Sequence, residues 1–220
     1  MRLILATANP GKAREMRDML APLDGLAIES LLDHPGFAAP EESEATFEGN
    51  ARLKALACAR AFGALSLADD SGLAVDALGG RPGVLSARYA PTSADRNAKL
   101  LEEMRGVPEE RRAARYVAAM ALAWPDGRCV AREGRCEGRI ALAPRGEGGF
   151  GYDPVFWLPE RGLTMAELSD EEKNAISHRG RALRAILPDI RLALAQHASR
   201  ESRKNETDRD GGSAAESGGL

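Results

Sequence analysis

Two adjacent acids, Asp69 and Asp70, interrupt the apolar run "LADDSGLA", and two more, Glu41 and Glu42, open "EESEA". Neighbouring aspartates between apolar residues are costly to bury unless they pair with cations or hold a metal. Loops at the carboxyl ends of strands in an α/β sheet meet in one crevice, so the two segments can converge although a helix separates them. Converging carboxylates suit Mg2+, which takes oxygen ligands and keeps waters to share with a phosphate. The plainer alternatives are an Asx turn at "DDSG" and a solvated loop at "EESE".

Three further stretches carry chemistry. "TANPGK", Thr7 to Lys12, joins an apolar strand to a helical pattern, and a strand–turn–helix junction with a lysine is a ready anion site. It is too short for a Walker A loop, and its plainer reading is a helix start capped by Asn9 with Pro10 in the first turn. "GFGYDPVFW" is the densest aromatic stretch in a chain that is 5% aromatic. Its glycines formally complete G-x-G-x-x-G at Gly146–Gly151, but Pro154 and Pro159 forbid the helix that a dinucleotide site needs. "EKNAISHRGRA" places Lys173, His178 and Arg179 at a helix start, and the guanidinium fork suits phosphate or a carbonyl-bearing base. His34 and His197 have no partner pattern. Neither G-x-S-x-G nor H-E-x-x-H occurs, which leaves Ser71 a weak nucleophile.

The elements that must position these residues alternate between strand and helix. "RLILAT" and "LAIESL" predict strands, with a helix from "PGKAREM" between them that turns Met16, Met19 and Leu20 inward. Residues 46–63 predict a helix capped by Thr46 and closed by Gly63, with Phe47, Leu53, Leu56 and Ala57 inward. "ALSLADDSGLAVDAL" predicts two strand pieces around a turn. "SADRNAKLLEEMRG" predicts a helix capped by Ser93 and stopped at Gly106. "ARYVAAMALAWPDGRCVAREGRCEGRIALAP" predicts strands with turns at Pro-Asp-Gly and Glu-Gly. The closing helical region starts at Ser169 and is kinked or divided by Pro188. This order implies an α/β fold.

Bulk properties exclude several classes. The 220 residues carry a net charge of −3, so a broad nucleic-acid-binding surface is not expected. No apolar run approaches the roughly 18 residues of a membrane span. Cys58, Cys129 and Cys136 form no C-x-x-C pair. A hairpin would bring Cys129 and Cys136 face to face, but an odd count without an export signal favours reduced thiols and a cytoplasmic protein. From Ser199 onward the chain has almost no apolar residue and is expected to be disordered.

In chain order, "LATANPGKAREM", "TFEGNARLKA", "ADDSGLAVDALGGRPGVLSARYA", "GGFGYDPVF" and "MAELSDEEKNAISHRGRAL" resemble the inosine/xanthosine triphosphate pyrophosphatases, which hydrolyse non-standard purine nucleoside triphosphates. The resemblance implies a two-lobed single domain over residues 1–198, with a long central mixed sheet flanked by helices and a cleft between lobes. Residues 199–220 would be a dispensable polar tail. It also implies Mg2+, a homodimer, and release of a monophosphate and pyrophosphate. By the same resemblance, Thr7, Asn9 and Lys12 match the phosphate-binding turn. Asp70 matches the general base and metal ligand, Glu41 the second metal ligand with Glu42 as close rival, and Ser71 a substrate contact. Phe150, Gly151, Tyr152 and Asp153 match the base-binding loop, with Phe150 stacked on the purine. Lys173, His178 and Arg179 match the closing basic set. The competing readings are a pyrophosphatase for modified pyrimidines or dTTP/UTP, a haloacid-type phosphatase disfavoured because "DDSG" lacks the D-x-D spacing, and a nucleotide sensor without turnover.

Overall fold

The computed structural model describes residues 1–212. The apolar "RLIL" forms β1 (Arg2–Leu5), which pairs in parallel with β2 (Ala27–Ser30) and with β3 (Leu65–Val75). β3 continues antiparallel into β4 (Ala113–Ala123), and the sheet extends through β5 (Cys129–Ile140), β6 (Phe156–Leu158) and β7 (Leu163–Thr164). The result is one mixed seven-stranded sheet in the order β2-β1-β3-β4-β5-β6-β7. Helices α1 (Pro10–Leu20), α2 (Phe47–Phe62), α3 (Ser93–Glu103), α4 (Asp170–Ile176) and α5 (His178–Gly212) flank it. The expected α/β architecture is the one observed.

β3 and β4 are long enough to pass through separate cores. Leu65 and Leu67 of β3 and Met120 and Leu122 of β4 pack with Met16 and Leu20 of α1 and Leu183, Ile186 and Ile190 of α5. The distal halves, Leu73, Val75, Ala114 and Tyr116, pack instead with Leu100, Met104, Tyr152 and Phe156. Small residues make the third contact: Ala51, Ala55 and Ala59 of α2 lie on Ala68, Ala119 and Ala121. Residues 69–72 of β3 fall between these cores. They also lie beyond the end of β1, whose pairing with β3 stops at Leu67.

Several local expectations change. "DDSG" is not a turn: Asp69 to Gly72 pair in register with Met120 to Val117. Gly72 is there for close approach, because a Cβ would lie 2.5 Å from the Gly83 carbonyl oxygen. Glu133-Gly134 is likewise no turn, since β5 pairs without a break against all eleven residues of β4. Cys129 and Cys136 therefore share one strand seven residues apart, on opposite faces, and cannot meet. The cap of α3 is Thr92, whose hydroxyl accepts from Asp95 N in a reciprocal capping box, one residue before the expected Ser93. The buried stripe of α2 is Asn50, Ala51, Lys54, Ala55, Cys58 and Ala59, leaving Phe47, Leu53, Leu56 and Ala57 half-buried. Alanines, not leucines, face the sheet because they let the helix lie close to Ala68 and Ala119. α5 continues across Pro188, held by buried Ile186 and Ile190, and the division falls at Ser177. The Ser177 hydroxyl accepts from Gly180 N at 3.0 Å and so caps the second helix. α5 extends to Gly212, past the boundary expected at Ser199, and residues 198–203 are exposed on it. The remainder of the expected tail, residues 213–220, lies outside the described residues. Among the described residues, no helix is long and apolar enough to cross a membrane.

Candidate active site

The turn after β1 is built as its sequence suggests. Asn9 caps α1, its side-chain oxygen accepting from Lys12 N at 3.1 Å. The Thr7 hydroxyl accepts from Asn9 N at 3.2 Å. With the turn fixed, Lys12 reaches across to β3 and sets its ammonium 2.7 Å from Asp69 Oδ2.

Asp69 is buried beneath two cations. Burial raises a carboxyl's pKa, but Lys12 and Arg179 outweigh it and hold Asp69 well below the usual carboxylate range. The Ser71 hydroxyl, two residues on and therefore on the same face, donates to Asp69 Oδ2 at 3.0 Å and accepts from Arg179 Nη2 at 3.1 Å. Arg179 is 2% exposed and also pairs closely with Glu15 on α1. Glu15 in turn meets Lys173 Nζ at 2.8 Å, and Lys173 donates to Asp153 Oδ2 at 2.8 Å. One unbroken chain of charges, buried beyond the half-buried Lys12, thus runs from Lys12 through Asp69, Arg179, Glu15 and Lys173 to Asp153.

The aromatic loop closes over that chain. Asp153 Oδ2 accepts from Phe150 N at 2.9 Å, and Gly151 O accepts from Asn97 Nδ2 at 3.1 Å. The Phe150 ring lies against two cations, with Lys173 Nζ 4.6 Å and Arg179 Cζ 5.4 Å from its centroid. Tyr152 is buried, its hydroxyl donating to Ser86 O at 2.8 Å. Val155 and Phe156 are core, while Trp157 is half-buried. His178 stacks on Tyr116, and burial followed by the Arg179 charge keeps its imidazole neutral. A cavity partly open to solvent takes in Asn9, Lys12, Ser71, Phe150, Lys173 and Arg179.

Asp70 works on the opposite face. It accepts from Lys54 Nζ at 2.9 Å and from Asn50 Nδ2 at 3.3 Å, both on α2. Burial raises its pKa, and the Lys54 charge only partly counters this. Lys54 also donates to Glu42 Oε1 at 2.7 Å, so Glu42 and Asp70 meet at one cationic point. Glu41 is exposed and is partner to neither. Among the described residues, no group of three His, Cys, Asp or Glu side chains is placed to hold a metal.

Sequence reasoning missed Glu15, Asn50, Lys54, Asn97 and Tyr116. Asn50 and Lys54 did leave a signal. They stand four apart in the stripe with Ala51, Ala55 and Cys58, and a lysine in such a stripe implies a buried partner.

The chain has clear relatives. The Ham1 family matches residues 3–189. A dITP/XTP pyrophosphatase of Thermus thermophilus is 56% identical over 189 residues, covering 85% of this chain and 90% of the relative. One of Geobacillus kaustophilus is 55% identical over 186 residues, covering 82% and 90%. Among solved structures, a HAM1 protein from Coxiella burnetii superposes with a TM-score of 0.78 at 38% identity, covering 86% of this chain and 98% of its own. A nucleoside-triphosphatase / dITP/XTP pyrophosphatase from Mycobacterium abscessus gives 0.70 at 46% identity, with 86% and 100% covered. The match takes in both acid segments, the capped turn, the aromatic loop and the start of α5, and on that footing the chain belongs to the Ham1 family.

Proposed function

We propose that this protein hydrolyses non-standard purine nucleoside triphosphates, dITP, ITP and XTP, between the α and β phosphates, releasing the monophosphate and pyrophosphate. The reading rests on one observation above the others. A single network joins the cationic turn at Lys12 to the aromatic loop at Phe150, with Asp70 one residue from its centre. A nucleotide laid along it meets cations at one end and a ring at the other. The relatives' name, dITP/XTP pyrophosphatase, agrees with that polarity.

In this reading Phe150 stacks on the purine, a contact worth about 1–3 kcal/mol. Arg179 and His178 donate to O6, and the Asp153 backbone accepts from N1–H. Adenine presents the reverse pattern and leaves buried groups unpaired, which supports discrimination of about 10⁴ or more. Thr7, Asn9 and the turn amides orient phosphate oxygens, and Lys12 and Lys173 balance their charge. Ser71 holds Arg179 in place. Asp70, oriented by Asn50 and carrying a raised pKa, takes the proton of an in-line water.

The donor set fits a divalent cation, for which we propose Mg2+. Two carboxylates meet at one point, and Mg2+ needs only one or two beside substrate phosphates. Asp70 and Glu42 would hold it, with Glu41, the ligand expected from the resemblance, further out on the loop. When bound, the ion supplies charge neutralisation at the phosphates. Lys54 keeps those carboxylates together on the protein's side. The reading further takes the functional form as a cytoplasmic homodimer of residues 1–198.

The test is an assay of purified protein with Mg2+ and each of ITP, XTP, dTTP and ATP, scored by pyrophosphate released. Turnover of ITP and XTP is expected. Strong dTTP turnover without ITP turnover would replace this reading with a pyrimidine pyrophosphatase, and orthophosphate as product would replace it with a phosphatase.

A further inference from the structure

Tyr116 lies near the start of β4, opposite Leu73 on one side and Cys136 on the other, and is 5% exposed. It lines the cavity, yet nothing in its sequence context, "ARYVAAM", marks it out from the core around it. Its hydroxyl donates to Asp153 Oδ1 at 3.1 Å. The other carboxylate oxygen, Oδ2, takes Phe150 N and Lys173 Nζ. The Tyr116 ring lies flat on His178, with centroids 4.5 Å apart and planes 9° from parallel, and Phe156 packs against the same ring at 4.5 Å.

We propose that Tyr116 is a positioning residue for base selection: by bonding Asp153 and stacking on His178 it sets the separation of the two sides of the base pocket. This rests on the functional reading above, in which the Asp153 segment and His178 read the purine edge. The two sides come from different parts of the chain, the 150–153 loop and the start of α5. A rigid ring on the central sheet that touches both is what keeps an acceptor and a donor at one spacing. Lys12 and the Asn9-capped turn, which face the phosphates, make no bond to Tyr116.

Tyr116→Phe removes the hydroxyl bond and keeps the stack. Asp153 is 3% exposed, so its Oδ1 is left without a donor in a buried place. The expected result is a fall of about 10-fold in kcat/KM for ITP, with kcat/KM for ATP unchanged, so that the ITP/ATP ratio falls by the same factor. Tyr116→Leu removes the stack as well, and a further fall of about 5- to 10-fold in the ratio is expected. Inhibition by inorganic tripolyphosphate, which has no base, should keep its wild-type constant within about 2-fold in both variants. A merely structural tyrosine would give another pattern: ITP turnover, ATP turnover and tripolyphosphate binding would fall together. That pattern overturns the proposal, as does an unchanged ITP/ATP ratio in Tyr116→Phe. If Tyr116→Leu does not fold, Tyr116→Phe alone decides. Wild-type protein inactive on ITP removes the functional reading and this proposal together, whereas active wild type with an unchanged Tyr116→Phe ratio removes only the role of Tyr116.

Discussion

Asp69 and Asp70 share a peptide bond, yet their carboxylates face opposite sides of β3: Asp69 meets Lys12 at 2.7 Å, and Asp70 meets Lys54 at 2.9 Å. Strand alternation alone accounts for the division. It gives two identical side chains different environments. Asp69 is held well below the carboxylate range by Lys12 and Arg179, while burial leaves Asp70 raised. One is an anchor for cations, and the other is available to take a proton.

The first prediction separates those roles. Asp70→Asn should lower kcat for ITP by about 10²–10⁴ while the melting temperature stays near wild type, because Lys54 keeps Glu42 and the Asp69 carbonyl as partners and the new amide can still bond Asn50. Asp69→Asn should also lower the melting temperature, since Lys12 and Arg179 lose a shared anion. Steady-state kinetics beside thermal melts check both, and near-normal kcat in Asp70→Asn rejects it as the base.

The acid loop gives the second. Glu42, and not Glu41, shares Lys54 with Asp70. Glu42→Gln should raise the Mg2+ concentration for half-maximal rate about 10-fold or more, and Glu41→Gln should leave it within about 2-fold. A Mg2+ titration of both variants at fixed ITP decides. The reverse order would restore the ligand that the resemblance suggests.

Acid stability gives the third. Burial raises the Glu15 pKa, but Arg179 and Lys173 outweigh it and leave the folded value below the unfolded one. The stabilisation is therefore complete above the unfolded carboxylate pKa of about 4.3 and is lost as pH falls through the folded value. Glu15→Gln should cost about 3 kcal/mol or more near pH 7, because two buried cations lose their shared anion, and should flatten the acid limb of stability against pH. Urea melts from pH 3 to 7 measure both. Parallel pH curves for variant and wild type would show that Glu15 does not carry the dependence.

The α/β order, the first helix and its cap, and the helical start of α2 were legible because each is local: apolar period, an Asx cap, a glycine stop. The five site segments were legible as chemistry. What they touch was not. "DDSG" reads as a turn from composition, and only ten registered pairs with β4 make it strand. The inward face of α2 reads as Leu53 and Leu56 by size, whereas a sheet surface of alanines selects Ala51, Ala55 and Ala59. Tyr116 and Glu15 are hidden for the same reason. Their partners lie 37 and 164 residues away, and no local pattern encodes such distances.

The last prediction sets a local preference against a distant contact. Gly11 lies in the first turn of α1, where alanine is the better helix former by up to about 1 kcal/mol. A Cβ there would lie 2.9 Å from Phe150 Cδ1 and 3.0 Å from Cε1, closer than carbon atoms sit, so the ring must move. The ring is also held against Lys173 and Arg179, and displacing it disturbs the surface on which, in the proposed reading, the base stacks. Stacking is worth about 1–3 kcal/mol, the larger effect for substrate, while the helix gain is the larger effect for the fold. Gly11→Ala should therefore melt no lower than wild type and yet raise KM for ITP by about 5- to 100-fold, with inhibition by tripolyphosphate little changed. Thermal melts and ITP saturation curves on one preparation measure both. An unchanged KM would mean that the ring swings aside without loss, and the stacking role of Phe150 would go with it.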